Sequence, residues 1–156
     1  SALTFTAVHN SREFTGNFGD FQAAIKLNPE SPETGEIHAV IGLASVDAGE
    51  RDRNSNLPGK DWFNIERFPT ATFVSSDIRA IGGGNYEALG DLTLKGISKP
   101  LNLTFSLTVD GDAATAKGGV SFSRRDFNIG EGPDFETEDW VKFPINVSVD
   151  ITAAKQ

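Results

Sequence analysis

Side chains that commonly carry out acid–base or metal chemistry are scarce in this sequence. Histidine occurs only at His9 and His38, which fall on different predicted strands and show neither His-x-His nor His-Glu-x-x-His spacing. Cysteine is absent, so thiolate nucleophiles, disulfides and cysteine-based zinc sites are excluded. No Ser-His-Asp triad can be nominated, and Gly-x-Ser-x-Gly does not occur. The sequence therefore predicts a protein that is not an enzyme and that requires no metal or other cofactor.

Two further motifs have a chemical interpretation and a simpler structural one. The run from Gly82 to Asn85 is glycine-rich, but it lacks the lysine and the following serine or threonine of a phosphate-binding loop, so we interpret it as a hairpin turn. The acidic cluster between residues 131 and 139 offers oxygen ligands for calcium, yet it lacks EF-hand spacing and is predicted to be a solvated loop. Neither motif predicts a phosphate or metal site.

Charge and hydropathy argue against two classes of partner. Twenty-two acidic residues against fourteen basic ones give a net charge of −8, which repels nucleic acid and anionic lipid headgroups. No apolar run approaches the roughly 18 residues that span a bilayer, so stable membrane insertion is not expected. The chain opens on SALTFTAVH, with neither an initiator methionine nor a signal sequence, and we expect a mature or excised part of a longer precursor.

Alternation of apolar and polar residues predicts an all-β fold. Between residues 143 and 151, five apolar residues alternate with polar ones and so share one face of a strand. Residues 101–109 repeat the pattern and end at the hairpin signal Asp110-Gly111. Weaker copies bring the count to about eight strands in a single domain over residues 1–156. These copies cover residues 3–8, 21–27, 37–43, 70–80, 86–94 and 115–123.

One segment, residues 50–67, breaks the alternation and is predicted to be a capping excursion. Its apolar residues are spaced for one or two short helical turns around Pro58 and Gly59. Eight antiparallel strands form either a two-sheet sandwich or an up-and-down barrel, and periodicity alone does not separate these folds. The difference bears on function, because a barrel of this size either holds one small ligand or is filled by its own side chains.

Short motifs follow one another along nearly the whole chain. They are Gly16-x-Phe18-x-x-Phe21, Arg51-Asp52, Asp61-Trp62-Phe63, Phe68-Pro69-x-x-x-Phe73, Gly90-x-Leu92-Thr93-x-x-Gly96-x-x-Lys99-Pro100, and Arg125 with Phe127, Ile129 and Gly130. Their order and spacing resemble the YceI-like family of secreted isoprenoid-binding proteins; Asn128 stands where many members carry glycine. The resemblance implies a turn from Gly16 to Phe21 and matches the last motif to the family pattern Arg-x-x-Phe-x-Ile-Gly. The resemblance implies a single eight-stranded antiparallel lipocalin-like β-barrel with a short helical capping excursion.

The resemblance also implies an elongated apolar cavity that holds a long isoprenoid tail, from a polyprenyl quinone such as ubiquinone or from a polyprenyl phosphate. The rings of Trp62, Phe63 and Phe68 either close one end over a tail or plug a packed barrel. Arg51 and Asp52 either meet a polar headgroup or form a structural salt bridge or helix cap. The other candidates are expected to point inward from strands and turns: Phe18, Phe21, Phe73, Leu92, Leu94, Phe105, Phe122 and Phe143.

We therefore expect a periplasmic or secreted bacterial protein that carries, stores or senses an isoprenoid lipid. Two alternatives stay open. One is a barrel filled by its own side chains, serving as an interaction module appended to a larger secreted protein. The other is an enzyme acting on a bound lipid, against which the lack of an acid–base pair argues. A homodimer, or a place in a larger multidomain protein, is compatible with the sequence.

Overall fold

The computed structural model describes residues 2–28 and 30–154, which form one curled antiparallel sheet of ten strand segments and a short helix. The helix, α1, spans Arg51–Asn56. The strands are β1 (Ala2–His9), β2 (Arg12–Phe18), β3 (Phe21–Lys26), β4 (Glu36–Gly42), β5 (Val46–Asp47), β6 (Thr70–Gly82), β7 (Asn85–Leu94), β8 (Ile97–Asp110), β9 (Ala113–Ser123) and β10 (Pro144–Ala154). Short 3₁₀ helices lie at Pro32–Thr34, Leu43–Ser45, Arg124–Phe127 and Pro133–Phe135.

Strand pairing curls the sheet into the predicted barrel. The order is β3-β4-β6-β7-β8-β9-β10-β1-β2-β5. β2 continues into β3 through two residues, and β4 continues into β5 through the 3₁₀ helix Leu43–Ser45. We call β2 with β3, and β4 with β5, the two bent strands. Since β2 pairs with β5 and β3 pairs with β4, the bent strands lie side by side. Counting each bent strand once gives the predicted eight, whereas the structure divides them into ten segments.

The corner between β2 and β3 is held by hydrogen bonds to the opposite bend. The N–H of Asp20 donates to Ser45 Oγ at 3.0 Å, and the N–H of Gly42 donates to the Asp20 carbonyl at 2.8 Å. The segment from Gly16 to Phe21, expected to be a turn, is a strand as far as Phe18 and bends only at Gly19-Asp20. That expectation was wrong because glycine and asparagine within a strand resemble turn residues.

Inward-pointing side chains form two hydrophobic clusters, because alternate residues of a strand face the same side. The upper cluster lies at the end of the barrel covered by α1, the turns of residues 57–69 and the β9–β10 connection, which we call the capped end. It contains Phe5, Leu43, Val46, Ala48, Phe63, Ala71, Leu94, Phe127 and Ile129. The lower cluster contains Ile37, Ile78, Tyr86, Ala88, Phe105 and Ala116.

The capping excursion is confirmed, although its helix lies earlier than the apolar spacing indicates. Helix α1 ends at Asn56, and residues 57–67 form hydrogen-bonded turns in which the N–H of Phe63 donates to the Leu57 carbonyl at 2.9 Å. The excursion is tied to the β9–β10 connection, since the N–H groups of Gly130 and Glu131 both donate to the Asp61 carbonyl at 2.7 Å. Two separate segments of the chain thus close one end together.

Candidate functional site: an apolar lumen

The barrel encloses an apolar cavity of about 210 Å³, which we call the lumen. Its wall is made by the inward faces of the bent strands, of β1 and of β6 to β10, and at the capped end by Leu57, Trp62, Phe63, Ile129 and Val141. Every lining residue is aliphatic or aromatic except Arg124. Such a wall stabilises an apolar occupant through the hydrophobic effect and offers it few polar contacts.

Eight of the twelve residues nominated from the sequence lie on the wall of the lumen. Their positions follow from strand register and from the capping excursion, which places two rings over the upper end of the barrel. Phe18 and Phe63 lie in contact there, with ring centroids 6.0 Å apart. The eight are Phe18, Phe21, Trp62, Phe63, Phe73, Leu92, Leu94 and Phe122.

Two nominated phenylalanines lie away from the lumen because other groups hold their rings. Phe105 points into the barrel but stacks on Tyr86 in the lower cluster, with centroids 5.6 Å apart. Phe68 packs against Gly96, where a Cβ atom would lie 2.7 Å from the ring. Glycine is therefore required at this position for lack of space, and also because its φ is +77°. Neither ring is among the residues that line the cavity.

The remaining two nominated residues also lie elsewhere. Phe143 precedes β10 and lies between two cations, its ring centroid 5.2 Å from the guanidinium carbon of Arg124 and 5.4 Å from that of Arg125. Arg51 is exposed on α1, away from the wall of the lumen, and the side chain of Asp52 lies outside the described part of the structure. Neither Phe143, which was expected to point inward, nor Arg51, which was expected to meet a headgroup or to form a salt bridge or helix cap, is among the residues that line the cavity.

Sequence reasoning missed much of the wall contributed by β1, β2, β4 and β10. Phe5 and Phe14 come from β1 and β2, with centroids 6.1 Å apart in an edge-to-face contact. Ile145 and Val147 come from the strand whose alternation is clearest in the sequence, yet they were not nominated. The nominated residues are mostly aromatic and include few aliphatic ones, and the alternation of β10 was the signal that could have found Ile145 and Val147.

Arg124 is the one charged residue on the wall, and it is completely buried, with 0% of its surface exposed. Its five N–H groups donate to six backbone carbonyls. Among the described residues, no carboxylate accepts a hydrogen bond from this guanidinium. The three shortest contacts run to Phe135 at 2.8 Å and to Ile129 and Val141 at 2.9 Å; the others run to Gly130, Thr137 and Lys142. Arg124 therefore fastens the β9–β10 connection over the barrel.

Burial lowers the pKa of the Arg124 guanidinium below its ordinary value, because desolvation disfavours the charged form. The like charge of Arg125 lowers it further, and Glu138 opposes the change. Counted strictly, the spacing Arg-x-x-Phe-x-Ile-Gly begins at buried Arg124, so its assignment to exposed Arg125 was wrong by one residue. The spacing to Phe127 was the signal that identifies the buried arginine.

A second buried cation fastens the same connection from the β7–β8 turn. The Lys95 ammonium donates to the Asn128 carbonyl at 2.7 Å and to Glu131 Oε1 at 3.1 Å. Asn128 adopts the left-handed conformation with φ 54°, which explains why glycine suits this position and asparagine is tolerated. Gly130 also has positive φ, and a Cβ atom there would lie 2.5 Å from Arg124 Nη1.

Buried side-chain polar atoms of the described residues have hydrogen-bond partners, with one exception. Arg53 Nε is the one buried side-chain N or O atom among them without a hydrogen-bond partner, and Arg53 is not on the wall of the lumen. No group of three potential metal ligands occurs within residues 2–28 and 30–154. His9 lies on β1 and His38 on β4. No described helix is long and apolar enough to cross a membrane.

Comparison with known proteins identifies a family for the fold. The family model described as the YceI-like domain matches residues 1–153. A protein from Yersinia pestis (strain Pestoides F), described as a UPF0312 protein, is 33% identical over 120 residues, which make up 73% of this chain and 62% of that protein. The chain thus spans about 62% of the length of the curated relatives it matches.

Solved structures share the same fold. BcnA of Burkholderia cenocepacia superposes with a TM-score of 0.93 at 29% identity, covering 97% of this chain and 95% of that one. A polyisoprenoid binding domain from Saccharophagus degradans, implicated in plant cell wall breakdown, has a TM-score of 0.73 at 12% identity, covering 99% and 94% of the two chains. At that identity the second likeness concerns the fold alone.

Proposed function

The chain belongs to the family of YceI-like domains, and from that premise we propose that its lumen binds the tail of a long isoprenoid lipid. The lipid is of the polyprenyl quinone or polyprenyl phosphate class, and the protein carries, stores or senses it without changing it chemically. The observation that carries the proposal is the lumen itself, which runs between both hydrophobic clusters with an apolar wall. The neighbour described as a polyisoprenoid binding domain supports the choice of ligand.

The energetics of transfer favour such a ligand. Each buried CH₂ group contributes roughly 0.8 kcal/mol, so a tail of several isoprene units gains enough to offset the cost of its immobilisation. The lipid is nearly insoluble in water. Protein molecules that each carry a net charge of −8 repel one another. The barrel thus serves as a container that disperses an oily chain.

The size of the lumen requires side-chain movement on loading. A cavity of about 210 Å³ is smaller than the roughly 300–1,000 Å³ of sites for drug-sized ligands. Phe18, Phe21 and Phe73 line the lumen and are only partly buried. We propose that these rings fill the empty lumen and swing toward the wall when a tail enters.

The headgroup is proposed to remain outside the lumen. All five N–H groups of Arg124 are engaged by backbone carbonyls, so the one cation on the wall has no free donor for a phosphate or a quinone oxygen. Placing an anionic headgroup among apolar side chains without a free cation would be strongly unfavourable. Binding then depends on the tail, and the net negative charge favours a neutral headgroup.

Filling the lumen with a larger side chain tests this proposal. Ala39 faces the lumen from β4, whereas its neighbour His38 faces outward and is exposed. Ala39→Trp should lose bound lipid, and His38→Trp should retain it, because only the first indole occupies the space of the tail. Each delipidated variant is mixed with geranylgeraniol, separated by gel filtration, extracted and analysed by mass spectrometry. Equal retention in the two folded variants would contradict binding in the lumen.

A further inference from the structure

The barrel is hydrogen-bonded unequally around its circumference. β3 pairs with β4 along one edge, and within the described residues no strand pairs with its other edge. The β1–β2 ladder stops at Thr4 opposite Asn17, so the first two residues of β1 pair with β10 only. Among residues 2–28 and 30–154, no strand pairing joins the free edge of β3 to the start of β1 and the adjoining part of β10. We call this unpaired part of the wall the lateral slit.

Both banks of the lateral slit contribute side chains to the lumen. Phe21 and Ala23 line it from β3, Leu3 lines it from β1, and Val149 and Ile151 line it from β10. All five are only partly buried although they point inward. The slit is therefore a place where the apolar wall of the lumen and the protein surface meet.

Other routes into the lumen are obstructed. At the capped end, Phe63 is buried and the β9–β10 connection is fastened by Arg124 and Lys95. At the opposite end, the lower cluster fills the space beneath β6 to β9, where Ile78 and Ala88 are 0% exposed. A tail entering through either cluster would have to break its packing.

We propose that the lateral slit is the portal through which the lipid tail enters and leaves the lumen, with β3 as the moving side. This inference rests on the proposed function and adds the route. A single ladder to β4 holds β3, so its displacement breaks fewer hydrogen bonds than the displacement of a strand paired on both edges. The Gly19-Asp20 corner supplies the hinge. The space beside Gly19 is open, since no atom lies within 4 Å of where a Cβ atom on this residue would stand.

A reversible clamp across the slit tests the route. The chain has no native cysteine, so Ala2→Cys and Gln22→Cys, both exposed and on opposite banks, can be joined by a flexible bismaleimide. The matched control joins Thr6→Cys to Thr15→Cys, which already lie opposite each other in the β1–β2 ladder. Protein loaded with geranylgeraniol is mixed with phosphatidylcholine vesicles, and the rate of lipid transfer is measured.

The slit clamp should slow transfer at least about tenfold, and the control clamp should change it by less than about twofold, as expected for a gate. Transfer at the unclamped rate through a clamped slit would overturn the portal and leave the proposed function intact. Failure of the unmodified protein to load geranylgeraniol would refute the proposed function, and the portal with it.

Accessibility gives a second readout that does not depend on the clamp. Ala23→Cys and Ala71→Cys both place a thiol on the wall of the lumen, but Ala23 lies on the bank of the slit, whereas Ala71 is only 5% exposed. A maleimide should alkylate Ala23→Cys faster, and bound geranylgeraniol should suppress that reaction. Equal alkylation rates at the two positions would overturn the portal.

Discussion

Replacing Arg124 by methionine tests whether one buried cation fastens the cap of the barrel. Methionine has a similar length and no donors, so Arg124→Met leaves six backbone carbonyls of the β9–β10 connection without their partner. Hydrogen bonds to a charged group contribute about 1.5–3 kcal/mol each in favourable cases, and the desolvation of the guanidinium offsets part of that sum. Breaking the buried network should lower the free energy of unfolding by about 3–5 kcal/mol.

The neighbouring Arg125 provides a matched control. It is exposed, donates to the Glu136 carbonyl and lies over the outer ring of Phe143. Arg125→Met should therefore cost less than about 1 kcal/mol. Arg124→Lys should fall between the two, because an ammonium offers three donors in place of five.

Urea denaturation followed by circular dichroism gives the free energies of unfolding, and thermal unfolding gives an independent value. For a domain of this size, 1 kcal/mol shifts Tm by roughly 2–4 °C, so Arg124→Met should unfold roughly 6–20 °C below the parent protein. A loss below about 1 kcal/mol, or equal losses at the two arginines, would refute the role assigned to the network.

Three further changes test separate parts of the structure. Phe73→Asp should abolish retention of geranylgeraniol, whereas Val74→Asp, on the opposite face and 49% exposed, should retain it in the same extraction assay. Gly130→Ala should destabilise the protein by about 1–3 kcal/mol more than Gly111→Ala in urea, because both have positive φ but only the first meets Arg124. The Gly49 N–H bond lowers the pKa of Asp47, so the stability lost in Asp47→Ala at neutral pH should vanish as pH falls through that pKa.

The parts of the fold that sequence could predict are those in which alternation is uninterrupted. β8 and β10 show five apolar positions at a period of two, and the two-residue turn after β8 is Gly111-Asp112, one residue later than the hairpin signal, with Gly111 at φ +61°. These strands are long and have one buried face, which is the condition under which period-two patterns are reliable. The turn signals at residues 82–85 succeeded for a related reason, since positive φ favours glycine.

β2 and the details of the site depend on contacts that the sequence does not display. Gly16 lies in the middle of β2 because the ring of Phe5 occupies the space of its side chain, and a glycine within a strand resembles a turn. Phe105 and Phe122 both face inward on neighbouring strands, but Phe105 lies opposite Gly118 and not opposite Phe122, and only Phe122 reaches the lumen. The ring of Phe105 stacks instead on Tyr86, its partner in the ladder between β7 and β8.

Native mass spectrometry of the protein tests most directly whether the lumen holds a lipid tail. The delipidated chain is exposed to geranylgeraniol, transferred to a volatile buffer and measured beside the Ala39→Trp variant. We predict a complex of one chain with one lipid for the unmodified protein and the bare chain for the variant. Only bare chains in both samples, or equal complexes in both, would contradict the account.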